Sequence, residues 1–270
     1  MTSIAENLHL ARSAFDAIAD SYDTRFTAST IGRAQRSAVW KKAKTVFRSG
    51  DHVLELNCGT GEDALFLASR GVSVTACDAS PRMIELARAR KKNEASRAAI
   101  DFQVVCSEHL DRLSCRSGFQ GAFSNFSGLN CVANLTGVAT QLHRLLESGA
   151  QLLLCVSTRF CLCEMLYYAL RADFPTAFRR CGGSAMVRVA GLPLDVYYRS
   201  LRSLIRSFGP AFRLQSVTGI GVTVPPSYLE NWARRHPFTF RLCESVDRAI
   251  CRWPLFRVLG DHMLLHMERV

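Results

Sequence analysis

"VLELNCGTGEDALFLASRG", residues 53–71, decides how this chain is read. An apolar run ends at Asn57, Gly59 and Gly61 stand two apart, and a helical pattern follows. Glycines at the end of a strand let the backbone come close to a ligand. Gly59-x-Gly61-x-x-Ala64 has the form of the dinucleotide fingerprint, which needs a strand before it and a helix after it. Asp78 closes the next apolar run, "VSVTACD", about 20 residues further on, where a carboxylate can accept hydrogen bonds from both hydroxyls of a ribose. Strand, glycine turn and acidic residue together predict a nucleoside cofactor. A glycine pair alone predicts only a tight turn.

Outward from this stretch the pattern alternates. Strands are predicted at 52–57, 72–77, 102–105, 120–125 and 150–156, with helices at 61–70, 80–96 and 133–147 and a short one near 107–113. Such alternation implies a parallel sheet with right-handed crossovers. Before it, 3–24 and 30–48 read as helices: Ile4, Leu8, Ala11, Phe15 and Ile18 recur at three and four, and Gly50 is a stop. After strand five the regularity breaks. Residues 157–209 hold helical stretches and an irregular glycine-bearing piece, "CGGSAMVRVAGLPLD". "FRLQSVTGIGVTVPP" reads as a sixth strand with a loop, 227–258 look helical with interruptions at Pro237 and Pro254, and "HMLLHMERV" is the last strand. The expected fold is therefore α/β, a Rossmann-like, seven-stranded, mostly parallel sheet with helices on both faces. A helical cap over 1–49 precedes it, 50–156 and 210–270 form the cofactor-binding domain, and 157–209 form a helical lid inserted before strand six.

The 270 residues are 48% hydrophobic, enough for a sizeable core. No run of about 18 uncharged apolar residues suggests a membrane span. The N-terminus, with Glu6 and Asp16, does not read as a secretory signal. Eleven scattered cysteines without zinc spacing read as reduced thiols in a cytoplasmic protein. The net charge is +11, and beyond Lys92 arginine replaces lysine entirely. Base composition of the gene and an anionic partner both account for that.

"ELNCGTG" resembles the first motif of the class I S-adenosylmethionine-dependent methyltransferases, E/D-x-x-x-G-x-G, through Glu55, Gly59 and Gly61, and Asp78 matches their acidic end of strand two. "AFDAIADSYDTRF" is similar to the F-D-x-x-A-x-x-Y-D of the ubiquinone-biosynthesis-like branch through Phe15, Asp16, Ala19, Tyr22 and Asp23. The resemblance covers most of 12–156. It implies S-adenosylmethionine as cofactor, with S-adenosylhomocysteine as product and no metal. It also implies roles: Glu55, Asn57, Gly59 and Gly61 around the methionine part, Asp78 on the ribose, and Ala79 and Met83 on the adenine, with Cys58 also in the cofactor site. Ser107 and Glu108 line the adenine edge, Asn125 and Phe126 stand beside the sulfonium, and Tyr22 folds over the cofactor. Cys106 stands where the family has an adenine-contacting Asp, and a thiol is a poor acceptor.

The implied reaction is methyl transfer to a small apolar molecule (polyketide, isoprenoid, lipid or aromatic) at O, C or N. A nicotinamide-dependent oxidoreductase, or a protein that binds S-adenosylmethionine without methyl transfer, are the alternatives. "SNFSGLN" after strand four lacks the proline pair of enzymes that methylate nucleic-acid amines, so no nucleic acid is expected. Asn125 and Asn130 offer no carboxylate for a catechol-type metal. His109 and His143 read as surface residues, leaving no named base. Asn130, Tyr167, Tyr168, Tyr197 and Tyr198 are the candidates for the substrate pocket. Arg199, Arg202 and Arg206 recur at helical spacing beside Leu201, Leu204, Ile205 and Phe208. Either this is a solvated face over packed residues, or a helix over the substrate pocket that meets an acidic group or a peripheral membrane surface.

Overall fold

The computed structural model describes residues 4–115, 118–209 and 211–270. Ser3, where the first helix is expected to start, and position 210 lie outside the described residues. The chain begins with α1 (Ile4–Tyr22), a π-helical turn (Asp23–Thr27) and α2 (Thr30–Val46). Ser29 caps α2 by accepting a hydrogen bond from Gly32 N at 2.9 Å.

The sheet region follows as β1 (His52–Leu56), α3 (Glu62–Ala68), β2 (Ser73–Asp78), α4 (Pro81–Glu94) and β3 (Ile100–Val104). It continues through β4 (Phe119–Ser124), α5 (Leu135–Leu145) and β5 (Leu146–Ser157). The insertion holds α6 (Leu162–Ala169), α7 (Phe174–Ala177), β6 (Ser184–Val189), β7 (Leu192–Tyr197) and α8 (Leu201–Phe208). Then come β8 (Phe212–Ile220), α9 (Glu230–Arg235), α10 (Pro237–Ile250) and β9 (His262–Arg269).

Seven strands order as β3-β2-β1-β4-β5-β9-β8. Neighbours from β3 to β5 pair in parallel, and β9 runs antiparallel to both β5 and β8. Alternate strand residues feed two cores. Leu54, Leu56, Leu152 and Leu154 pack against Val138 and Leu142 of α5 on one face. Val53, Phe123, Leu153 and Cys155 pack against Val39 of α2, Leu67 of α3 and Ile84 of α4 on the other. This near-continuous burial of β1, β2 and β4 is what a parallel sheet covered on both faces demands. The strand order reverses between β1 and β4, and the crevice outside the carboxyl ends of those strands is where such sheets bind ligands.

The insertion differs from the expectation in one place and chooses between two readings in another. The irregular glycine-bearing piece is an antiparallel hairpin, β6 with β7, closed by Ala190 and Gly191 at φ +50° and +81°. Positive φ at both central residues is the signature of the hairpin turn that matches strand twist. The hairpin lies along α1, where the Asn7 side chain accepts from Asp195 N at 3.0 Å and donates to Cys131 O at 3.2 Å. The second place is α8. Its Leu204 and Phe208 are buried in the core beside α5, so it does not cover the pocket, and Arg202 and Arg206 are its solvated face. Arg199 stands outside the helix and donates to Val132 O at 2.6 Å and Ala133 O at 2.8 Å. The arginine stripe is thus ordinary surface over a packed side. Among the described residues no helix is long and apolar enough to cross a membrane.

Candidate active site

A cavity partly open to solvent lies over the carboxyl ends of β1, β2 and β4. Its floor is the turn after β1. Asn57 adopts φ +55°, Gly59 +53° and Gly61 +79°. The two glycines serve different ends. A Cβ on Gly61 would stand 2.9 Å from the Phe102 ring and 3.0 Å from Ala87, so Gly61 lets α3 pack on the sheet. A Cβ on Gly59 would meet nothing nearer than the Tyr22 ring at 3.9 Å, so that backbone faces open space. Across the cavity Phe126 (φ +47°) and Ser127 (φ +67°) continue from β4. Left-handed non-glycine backbone at the ends of two adjacent strands is strain of the kind held at functional sites.

Asp78 sits at the end of β2. It accepts from Gly59 N (2.9 Å) through Oδ2 and from Ser80 N (2.9 Å) through Oδ1. A carboxylate has roughly four acceptor positions, so these donors leave it capacity for a further one. Burial raises its pKa, and the backbone donors from Ser80 and Gly59 oppose that. Glu55 lies beneath the turn, 1% exposed, and its Oε2 has no hydrogen-bond partner. Burial pushes its carboxyl well above the ordinary range, with the charge of Asp63 adding to the shift. An orphaned buried carboxylate oxygen under a cavity fits a cationic ligand.

The N-terminal segment forms the roof. Phe15 and Tyr22 line the cavity. Asp16 binds the start of α4, accepting from Ser80 Oγ at 2.5 Å and Arg82 N at 3.1 Å. Asp23 accepts from Thr60 Oγ1 at 2.7 Å and pairs with Arg90, which also meets Glu62 at 2.9 Å. The residues of the F-D-x-x-A-x-x-Y-D pattern therefore alternate between lining the cavity and latching the roof. Burial pushes the Tyr22 phenol up to about 12, so it stays neutral at physiological pH.

One end of the cavity is aromatic. Phe126 meets Phe26 edge-on at 4.8 Å, and the Arg36 guanidinium lies 4.8 Å over the Phe126 ring. Arg36 pairs with the buried Asp63, which also accepts from Trp40 Nε1 at 2.5 Å and Asn125 Nδ2 at 3.1 Å. Asn125 Oδ1 in turn accepts from Phe126 N at 3.0 Å.

Ten of the thirteen cofactor candidates line this cavity: Tyr22, Asn57, Gly59, Asp78, Ala79, Met83, Ser107, Glu108, Asn125 and Phe126. Glu55, Cys58 and Gly61 stand behind it, under the turn or packed against the sheet. Cys106 does line it, in the place of the family's Asp. The five pocket candidates are not brought to it. Asn130 is spent on the backbone, accepting from Ser157 N at 2.9 Å and donating to Tyr197 O at 2.7 Å. Tyr197 carries the Arg199 guanidinium over its ring and Tyr198 that of Arg180. Tyr167 carries the Arg171 guanidinium over its ring, and Tyr168 meets the Tyr228 ring at a tilt. The sequence reading missed the Arg36–Asp63 pair and the Thr60–Asp23–Arg90 latch. A signal existed: Arg36 falls on the buried face of α2 beside Ile31, Gln35, Val39 and Ala43. A charge on an apolar stripe announces a partner.

Comparison with known proteins agrees with this geometry. Residues 53–149 match the family model described as a methyltransferase domain. The ubiquinone/menaquinone biosynthesis C-methyltransferase UbiE of Geobacter sp. (strain M21) is 28% identical over 157 residues, 57% of this chain and 66% of that protein. The chain thus spans just under two thirds of that relative. Among solved structures, the geranyl diphosphate C-methyltransferase of Streptomyces coelicolor A3(2) superposes with a TM-score of 0.57 at 13% identity, over 87% of this chain and 79% of the other. An S-adenosylmethionine dependent methyltransferase from Mesorhizobium loti gives 0.55 at 15% identity, over 86% and 98%. At those identities the likeness is one of fold. Sheet order, glycine turn and matched domain define a Rossmann-like methyltransferase fold. Residues 53–149 thus carry a methyltransferase domain, and the chain resembles the ubiquinone-biosynthesis-like branch of the class I S-adenosylmethionine-dependent methyltransferases.

Proposed function

We propose that the protein transfers a methyl group from S-adenosylmethionine to a small apolar acceptor. The observation that carries this is Asp78, held by Gly59 N and Ser80 N on the cavity floor with acceptor positions to spare for a ribose diol. Asn57 and the Gly59 backbone would hold the methionine part, with the unpartnered Glu55 oxygen beneath supplying negative potential toward its ammonium. Ala79 and Met83 would flank the adenine. The bound cofactor supplies an electrophilic methyl on a sulfonium, the difficult part of the chemistry.

The chain's own share is position and exclusion of water. Asp63 holds Asn125 through its Nδ2, and Asn125 Oδ1 receives Phe126 N, which fixes the strained turn beside the methyl end. Holding an acceptor at attack distance contributes several kcal/mol, on the order of 7–11 in well-oriented systems. The Tyr22, Phe26 and Phe126 rings close that end, and the Asp23 latch keeps the roof down over the turn.

Leu8, Ala11, Phe15 and Val132 make the remaining wall largely apolar, which supports an apolar acceptor. The relatives' names speak of carbon methylation of quinones and of geranyl diphosphate, which favours an aromatic or isoprenoid acceptor methylated at carbon. The test is incubation with S-adenosylmethionine and a panel of demethylquinols and prenylated phenols. Mass spectrometry should show one added methyl per acceptor and matching S-adenosylhomocysteine. Tight cofactor binding with no product from any acceptor would favour the non-transferring alternative, and binding of a nicotinamide cofactor instead would overturn both.

A further inference from the structure

We infer that the face formed by α9, α10 and the start of α2 docks the protein on an anionic phospholipid bilayer. The inference rests on this surface alone and is independent of methyl transfer. Phe238, Leu242 and Val246 follow one another at four-residue spacing along α10, and they are 89%, 64% and 39% exposed. At about 100° per residue they form a single stripe. Trp253 and Leu255 extend the exposed apolar surface just beyond the helix. The opposite side of α10 faces the protein through Phe240 and Asp247, so the stripe has no partner in the fold. An uncovered run of large apolar side chains at helical spacing marks an interaction surface.

Arginines flank the stripe. Arg241 and Arg248 lie along one edge of α10, with Arg234 and Arg235 at the end of α9 and Arg252 after α10. Between α2 and α9–α10 lie two adjoining concavities. One is lined by Arg33, Arg234 and Arg241 with a single acid, Glu244. The other is lined by Arg25, Arg33 and Arg234, and its one acid, Glu230, already caps α2 by accepting from Thr30 N at 2.8 Å and Ile31 N at 3.0 Å. The guanidinium groups of Arg25, Arg33 and Arg241 make no hydrogen bond or ion pair among the described residues. The face therefore offers unpaired guanidinium groups for phosphates beside aromatic and aliphatic side chains for the acyl boundary. That is charge and polarity complementary to an anionic bilayer. A nucleic acid would use the arginines but has no use for a continuous Phe–Leu–Val stripe.

The arrangement also has a place in the proposed chemistry. Arg25 belongs to the π-helical turn that carries Phe26, and Phe26 packs on Phe126 at the methyl end. Docking would set the roof of the cavity beside the membrane, where an apolar acceptor resides.

The test is co-sedimentation of the full chain with vesicles of equal parts phosphatidylcholine and phosphatidylglycerol, against pure phosphatidylcholine, at low and high salt. The wild type should bind the mixed vesicles and release in high salt. Phe238→Ser/Leu242→Ser and, separately, Arg33→Gln/Arg234→Gln/Arg241→Gln should each weaken binding by about tenfold or more while keeping cofactor affinity and melting temperature. Arg202→Gln/Arg206→Gln on α8 removes comparable charge elsewhere and should bind as wild type. Equal loss in that control would show net charge alone at work and overturn the inference. So would full binding by the Phe238/Leu242 variant, or absence of vesicle binding alongside tight binding to a single-stranded RNA oligonucleotide.

Discussion

Thr60 Oγ1 donates a 2.7 Å hydrogen bond to Asp23 Oδ1, tying the roof of the cavity to the glycine turn in its floor. Thr60 stands between Gly59 and Gly61, and the other oxygen of Asp23 pairs with Arg90 of α4. Roof and floor are thereby closed by one half-buried carboxylate.

Loosening this latch should speed cofactor release without unfolding the sheet. Charge-assisted hydrogen bonds of this kind contribute about 1.5–3 kcal/mol. Arg90→Met, or Asp23→Ala, should therefore raise the dissociation rate of S-adenosylmethionine by roughly tenfold or more. Stopped-flow chase with unlabelled cofactor measures it. An unchanged rate would mean that the roof does not gate the site.

Asp78→Ala should lower S-adenosylmethionine affinity by one to two orders of magnitude, about 1.4–3 kcal/mol, because a bidentate contact to the ribose is lost. Calorimetric titration decides this, and full affinity in the variant would remove Asp78 from the site.

The two glycines should separate fold from function. Gly61→Ala adds both left-handed strain and a contact at 2.9 Å with Phe102, so it should cost about 2–4 kcal/mol of stability. Gly59→Ala has room for its Cβ and should cost only the strain, about 1–2 kcal/mol, but it places a methyl at the cavity floor. Thermal melts should single out Gly61→Ala, and cofactor titration should single out Gly59→Ala. Equal effects on both measurements would refute the division.

Glu55 should make binding depend on pH. Burial raises its carboxyl pKa in the folded protein. A raised carboxyl pKa contributes stability that is complete below the unfolded value, about 4.3, and is lost as pH rises through the folded value. A bound ammonium would favour the ionised form, so cofactor affinity should rise with pH across that same interval. Glu55→Gln should flatten this dependence, weaken binding, and make the ligand-free protein more stable at neutral pH by about 1–2 kcal/mol. A pH profile of affinity identical to wild type would show that Glu55 does not sense the ligand.

The local chemistry of this protein was legible in the chain itself. Strand, glycine turn and acidic strand end are short-range features, and their spacing sets backbone geometry directly. Hence residues 53–78 announced β1, the turn that lines the cavity, and the Asp78 carboxylate at its floor. Val53 and Leu54 show why the sheet was also readable: a parallel strand buried on both faces is a continuous apolar run. The π-helical turn that carries Phe26 to Phe126, the pairing of Arg36 with Asp63 across 27 residues, and the reach of Asp23 to Thr60 and Arg90 left no such mark. Each joins segments that meet only when α1 and α2 fold over the sheet. The same holds for the tyrosines of the insertion, whose sequence allowed a pocket wall but whose rings are taken by Arg171, Arg180, Arg199 and Tyr228. It holds too for α8 and α10. Both are amphipathic by sequence, yet α8 turns its apolar side to the core, whereas α10 buries Phe240 and leaves Phe238 and Leu242 in solvent. Periodicity determines that a helix has two faces. Which face is covered depends on what the rest of the chain packs against it, and only the tertiary structure decided that.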